Sequence, residues 1–196
     1  QLIRELEALL GPKAVLSSPE DLMLYEYDGS VDLGYPQCVV FPSSARDVAG
    51  IVRLANRHET PIVGRGAGTG LSGGAIARSG GIVIVFSRMN RILEIDEANL
   101  RAVVQPGVVN LDLSRAVEYR GLYFAPDPSS QKACTIGGNV SENAGGPHTL
   151  AYGVTASHVT GLELVLTDGE LMRIGGKTIE SMGYDLLGLL VGSEGT

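Results

Sequence analysis

Six of the eleven residues from Gly64 to Gly74 are glycine, and this run (GRGAGTGLSGG) follows directly on the apolar segment Pro61-Ile62-Val63. A second apolar segment, Ile82 to Phe86, comes a few residues later. A backbone this bare reaches φ > 0 at little steric cost and lets another group approach the main chain closely. It can curl into a nest whose N–H groups converge, which suits two adjacent phosphates. Arg65 can add a charge there, and the Thr69 and Ser72 hydroxyls can add donors. A loop that binds nothing is the plain alternative, but surface loops seldom carry this much glycine between two apolar strands.

Two enzyme motifs overlap the same run. Gly68-x-Gly70-x-x-Gly73 fits the Rossmann dinucleotide fingerprint, and Gly70-Leu71-Ser72-Gly73-Gly74 fits a nucleophile elbow with Ser72 as nucleophile. Each needs a helix to open within the run. Here a short polar link leads to the strand at Ile82 instead. The later His158 and Asp168 also stand in the reverse of the order that the elbow's hydrolase fold requires.

Of 196 residues, 27 are glycine, roughly twice the ordinary share, with no Gly-x-y period and no low-complexity tract. Hydrophobic residues make up 44% and charged residues 19%, which suits a chain with a core of its own rather than a disordered one. The formal net charge is −7 and no Lys/Arg run breaks it, which makes the chain a poor candidate for nucleic acid or an anionic membrane surface. A small anion is not excluded, because backbone amides need no formal charge. Cys38 and Cys134 lie far apart and outside any CxxC, so they form neither a disulfide framework nor a zinc site. The longest apolar run, Ile82 to Phe86, is far too short to span a bilayer. No signal-peptide pattern opens the chain, and its first residue, Gln1, points to a trimmed N-terminus.

Residues 2–10 place apolar side chains at helical spacing, with Gly11-Pro12 as the stop. A second short helix is predicted from Pro19 with Ser18 as N-cap. Cys38 to Phe41 reads as a buried strand. Ser44-Ala45-Arg46-Asp47 then reads as a capping box for a helix buried through Val48, Ile51, Val52 and Ala55. Strand, helix, strand at this spacing suggests a small βαβ unit. Past about residue 90, Ile92–Asp96 and Arg101–Gln105 read as an antiparallel pair, and Leu111–Tyr119 as a helix ended by Gly121. Leu162 to Thr167, then Asp168-Gly169, then Glu170 to Ile174 reads as a hairpin. Two lobes are expected within one domain, about 1–90 and 91–196.

Two further segments belong with the glycine run. Pro126-Asp127-Pro128-Ser129-Ser130 is stiffened by its prolines and ends in two hydroxyls. Thr135 to Gly146 (TIGGNVSENAGG) carries small residues at 137, 138, 141, 144, 145 and 146, a surface for a flat ring or a diphosphate. Two glycine-rich segments about 70 residues apart imply a long ligand, and a dinucleotide is the natural size. Of the three histidines, His148 stands beside Gly145-Gly146; a lone histidine is more often a surface or core residue than a ligand.

The ordered runs PIVGRGAGTGLSGG, VVQPGV, PDPSS, TIGGNVSENAGG, YGVT and GSEGT resemble the PCMH-type FAD-binding domain. Within it they are similar to the FAD-linked 2-hydroxy-acid oxidases and dehydrogenases, the group of glycolate oxidase FAD-binding subunits and D-lactate dehydrogenases. The resemblance covers roughly residues 15 to 196. It implies an α+β fold, with a small parallel α/β lobe packed on a lobe with an antiparallel sheet. It implies that Gly64, Arg65, Gly66, Ala67, Gly68, Thr69, Gly70 and Ser72 hold the FAD pyrophosphate. Asp127, Ser130 and Thr135 would lie along the ribityl and flavin side. Gly138, Asn139, Ser141, Asn143, Ala144 and Gly145 would pack against the flavin and diphosphate. Tyr152, Gly153 and Val159 would reach the adenosine end, and Glu194 and Gly195 would begin a motif that closes over the cofactor.

Where family members tether the cofactor, a histidine stands near the position of Thr69. Thr cannot form that bond, so FAD is expected to be non-covalent. Ala151 replaces a basic residue common in the family. GSEGT is the last motif of the chain. The family's substrate cap, metal-binding and catalytic histidines and substrate-binding arginines lie beyond it, so no catalytic residue and no metal ligand is assigned, and this stretch alone is expected to be inactive. The implied reaction is oxidation of a small 2-hydroxy acid to the 2-oxo acid, with electrons passing to partner subunits or a quinone-linked acceptor. The implied location is the cytoplasm, peripheral to the inner membrane only through such partners. A non-catalytic nucleotide-binding module and a serine hydrolase using Ser72 are the rival readings.

Overall fold

The computed structural model describes residues 1–177 and 183–195. The chain divides into two compact units, Gln1–Arg88 with Glu163–Arg173, and Met89–Leu162 with Ile174–Thr196.

The first unit is built on a four-stranded sheet in the order β1-β2-β4-β3. Its strands are β1 (Val15–Leu16), β2 (Cys38–Val40), β3 (Ile62–Arg65) and β4 (Ile82–Val85). β4 pairs in parallel with β2 and with β3, and β1 pairs antiparallel to β2. Every residue of β2 and β4 is buried, as expected of central parallel strands covered on both faces. One face carries Cys38, Val40, Ile82 and Ile84 against Leu2 and Leu6 of α1 (Leu2–Leu10) and Ile51, Leu54 and Ala55 of α3 (Ala45–Arg57). The other face packs Val39, Val83 and Val85 around Ala77. The short α2 (Pro19–Leu22) starts at Ser18, whose Oγ accepts from the Asp21 amide. The box that opens α3 is complete: the Asp47 amide donates to Ser44 Oγ (3.2 Å), and Ser44 N donates to Asp47 Oδ2 (3.1 Å). Ile51 is fully buried, and its truncation to Ala would cost about 2–5 kcal/mol.

The second unit holds the antiparallel pair β5 (Ile92–Asp96) and β6 (Arg101–Val104), bulged between Ile92 and Glu94. α4 (Asn110–Val117) follows, passing into a 3-10 turn that Gly121 ends in the left-handed conformation. Next come α5 (Ile136–Glu142) and the single turn α6 (Thr149–Tyr152), then the two-stranded hairpin β7 (Gly161–Val165) and β8 (Leu171–Gly175), then α7 (Leu186–Leu190). Most of this hairpin, Glu163–Arg173, belongs to the first unit, where Arg53 Nη1 donates to Gly169 O (2.7 Å) and Asn56 Nδ2 to Thr167 O (2.6 Å). No helix of the described residues is long and apolar enough to cross a membrane.

Both cysteines are free and buried. Burial pushes the Cys38 thiol up to about 11, so it stays protonated and inert.

Candidate cofactor site

β3 ends at Arg65, and the chain then runs to β4 with no helix between them. That removes the element that both the Rossmann fingerprint and the nucleophile elbow require. The run from Gly66 to Gly74 is an open, irregular loop. Gly68 (φ 68°) and Gly73 (φ 78°) take the left-handed conformation that disfavours a side chain. Among the described residues, no main-chain amide from Ala67 to Leu71 donates a hydrogen bond to the protein. Five main-chain N–H groups on this half-exposed loop thus have no acceptor among the described residues, the composition that a backbone anion nest requires.

The loop rests on a wall that sequence reading did not single out, the segment around residues 28–35. A Cβ on Gly29 would lie 2.7 Å from Gly70 O and 2.9 Å from Thr69 O. A Cβ on Gly34 would lie 2.6 Å from the Ala77 main chain, and Tyr35 N donates to Ala77 O (3.2 Å). Only glycine lets the two backbones approach this closely. Asp28-Gly29-Ser30 has the composition of a turn, and nothing local says what that turn supports.

Arg65 does not reach out to solvent. It is 7% exposed, with its guanidinium 5.7 Å from the Tyr25 ring centroid and Nη1 3.4 Å from Ala75 O. Burial lowers its pKa, while the Asp28 charge and the Tyr25 and Tyr27 rings act the other way. Asp28 is buried too; its Oδ1 accepts from Ser30 N (2.7 Å).

In the second unit, Pro126 is fully buried and its carbonyl accepts from Asn110 Nδ2 (2.9 Å). This fixes Asp127, whose carboxylate takes two bonds from His148, from the amide (3.3 Å) and from ring Nδ1 (2.5 Å). Burial acts to raise the Asp127 pKa, and the His148 bonds outweigh it, so the carboxyl is held below its usual range. Nδ1 is thereby assigned the proton if the ring is neutral, which leaves Nε2 as the acceptor. The carbonyl of Ser130 accepts from Ala133 and Cys134 (both 2.8 Å).

Thr135 caps α5 through Gly138 N (3.3 Å). The other leading amides are spent as well: Ile136 N donates to Val108 O and Gly137 N to Pro106 O (both 2.8 Å). Several glycines here serve close packing. An added Cβ would lie 2.7 Å from Pro106 Cβ at Gly137, 2.5 Å from Thr149 Oγ1 at Gly145 and 2.3 Å from Asp127 O at Gly146. Gly138 meets only its own cap, at 3.3 Å.

Several of the remaining expected residues belong to α5 or bond to it. Asn139 is 3% exposed; its side chain lies against the Cys134 thiol, and its Nδ2 makes no close hydrogen bond among the described residues. Asn143 ends the helix in the left-handed conformation and accepts from Ala156 N (2.9 Å). The Ala144 carbonyl accepts from both N and Oγ1 of the fully buried Thr155 (3.0 and 2.7 Å). The last motif is tied to the same helix: Gly192 N donates to Val140 O and Glu194 N to Ser141 O (both 2.9 Å). Gly195 N donates to Ser193 Oγ (3.3 Å), and Thr196 lies outside the described residues. Tyr152 packs edge-on against Tyr123 (6.2 Å between centroids), Gly153 ends α6 at φ 79°, and Val159 is half-buried. Asn110 and Thr155 escaped sequence reading, because a buried polar residue looks like a surface one until its neighbours are known.

Comparison with known proteins places this arrangement. The chain is 48% identical over 188 residues to the glycolate oxidase subunit GlcD of Bacillus subtilis (strain 168), covering 95% of the chain and 40% of that protein. It is 41% identical over 197 residues to the D-2-hydroxyglutarate dehydrogenase of Stutzerimonas stutzeri (strain A1501), covering 100% of the chain and 42% of that protein. Among solved structures, an alkyldihydroxyacetonephosphate synthase superposes with a TM-score of 0.85 at 22% identity, over 98% of this chain and 37% of that one. The chain therefore spans about two fifths of the length of the relatives it matches. A family model described as "FAD binding domain" matches residues 36–175, from the strand before the capping box to the end of the hairpin, and the chain belongs to that family.

Proposed function

We propose that this chain forms the FAD-holding part of an oxidoreductase that converts a small 2-hydroxy acid, of the glycolate or D-lactate kind, to the 2-oxo acid. One observation carries the reading: the run of unspent amides from Ala67 to Leu71. Its donor set suits a diphosphate, and Asn139 Nδ2, which makes no close hydrogen bond among the described residues, offers one more donor. The names of the relatives support the substrate class.

The loop from Gly64 to Gly70, with Ser72, binds the pyrophosphate. Thr135, Gly138, Asn139, Ser141, Asn143, Ala144 and Gly145 orient the remainder of the cofactor, with Asp127, Ser130, Tyr152, Gly153, Val159, Glu194 and Gly195 around it. The chemistry that FAD supplies when bound is acceptance of a hydride from the substrate carbon. Thr69 offers no nucleophile of the histidine kind, so the cofactor is held without a covalent bond. The electrons leave to a partner subunit or a quinone-linked acceptor. GlcD is named as a subunit, which supports an assembly.

An absorbance spectrum of the purified protein, with and without added FAD, tests the reading. A flavin band that acid precipitation releases into the supernatant is the expected result. A protein that stays colourless with FAD in excess overturns the cofactor assignment, and flavin retained in the pellet overturns the non-covalent one.

A further inference from the structure

We propose that Arg65 is a positioning residue that raises affinity for the diphosphate from beneath the glycine loop, and that Asp28 is the counter-charge that tempers it. This rests on the reading above that the loop holds the diphosphate.

Arg65 ends β3 and folds back under the residues that follow it. A Cβ on Gly68 would lie 2.4 Å from Arg65 Nη2 and 2.7 Å from Cζ, so the guanidinium fills the space that the missing side chain leaves. Against five N–H donors, the group has one long bond to the protein among the described residues, to Ala75 O. It makes no ion pair among them. Asp28, at 9% exposure, has a second oxygen, Oδ2, with no partner among the described residues. Two opposite charges are thus buried behind the same loop, each with hydrogen-bonding capacity unspent.

Burying charge without close pairing costs several kcal/mol, so fold stability alone does not explain the arrangement. A cation set behind a cradle of amides does explain it. Charges interact more strongly where water is excluded, and a diphosphate on the outer side of the loop would feel Arg65 through protein rather than through solvent. The Asp28 carboxylate precedes Gly29, whose backbone lies against the carbonyls of Thr69 and Gly70, and its negative charge opposes that attraction.

The experiment is calorimetric titration of the apoprotein with FAD, with ADP-ribose, which has the diphosphate but no flavin, and with riboflavin, which has no diphosphate. Arg65→Met is expected to weaken FAD and ADP-ribose about tenfold or more while shifting riboflavin less than about threefold. Arg65→Lys should regain most of the loss. Asp28→Asn keeps the shape and the acceptor for Ser30 N, and should tighten FAD and ADP-ribose about two- to fivefold. A purely structural role would weaken all three ligands together and lower the melting temperature, and that result overturns the proposal. If Arg65→Met fails to fold, Asp28→Asn decides: tighter diphosphate binding supports the proposal, and unchanged or weaker binding overturns it. Failure of the unaltered protein to bind FAD or ADP-ribose would instead sink the reading of the loop itself.

Discussion

The two glycine-rich segments look alike in sequence and spend their glycines in opposite ways. From Ala67 to Leu71 no amide has an acceptor among the described residues. From Ile136 to Asn139 every amide is used inside the protein, and Gly137, Gly145 and Gly146 are bare because another part of the chain lies against them. The first segment therefore keeps donors in reserve, and the second uses them to hold its own shape. Glycine content alone does not distinguish a binding nest from tight packing. The fate of the N–H groups does.

The largest effect expected of this contrast is on stability. Gly146→Val should cost about 3 kcal/mol or more in urea unfolding, because its Cβ would lie 2.3 Å from a backbone oxygen that Pro126 and Asn110 hold in place. A stable variant with weakened FAD binding would erase the distinction between the segments. Next comes Gly68→Val, expected to raise the FAD dissociation constant about 100-fold, or ~2.7 kcal/mol. Its fold should lose only about 1–2 kcal/mol from left-handed strain, since the atoms it meets are the end of the Arg65 side chain. Unchanged FAD affinity in that variant would remove the loop from the site.

A smaller effect concerns Asp127. Its folded pKa is lowered, so its stabilising contribution is present above the unfolded value, near pH 4, and is lost as pH falls through the folded value. His148→Ala should cost about 1 kcal/mol near neutral pH and flatten the decline below about pH 4. Superimposable acid limbs in the two proteins would show that the pair does not act this way. The smallest effect sharpens the comparison most. Gly138→Ala should change stability by less than about 1 kcal/mol, since alanine favours a helix and its Cβ meets only the Thr135 hydroxyl. If α5 touches the cofactor, FAD affinity falls in that variant while the melting temperature holds; if both stay put, Gly138 is no part of the site.

The sequence made legible whatever is decided locally. The periodicity of residues 2–10, the Ser18 cap and the Ser44–Asp47 box all appear as read, because each works within one turn of helix. The two-residue β1 is too short to carry a pattern. α5 was hidden because Gly137-Gly138 opposes helix formation, and what overrides that preference is distant in sequence: the carbonyls of Pro106 and Val108. The helix read as Leu111–Tyr119 begins at Asn110, a fully buried residue whose role depends on Pro126. The hairpin was visible from Asp168-Gly169, but that its tip joins the first unit depends on Arg53 and Asn56, over 100 residues earlier. That the glycine run forms a helix-free loop could be read, while the inward turn of Arg65 and the wall around Gly29 could not, because both are properties of packing.

If the five unbonded amides of the loop do hold a diphosphate, there is a practical corollary at the bench. Inorganic phosphate and sulfate offer the same oxygens as a nucleotide and should occupy the loop at roughly millimolar strength. Cofactor affinities measured after ammonium sulfate fractionation, or in phosphate buffer, will then read too weak. The same titration in a chloride-based buffer should recover the difference, so the choice of salt becomes a direct probe of the loop.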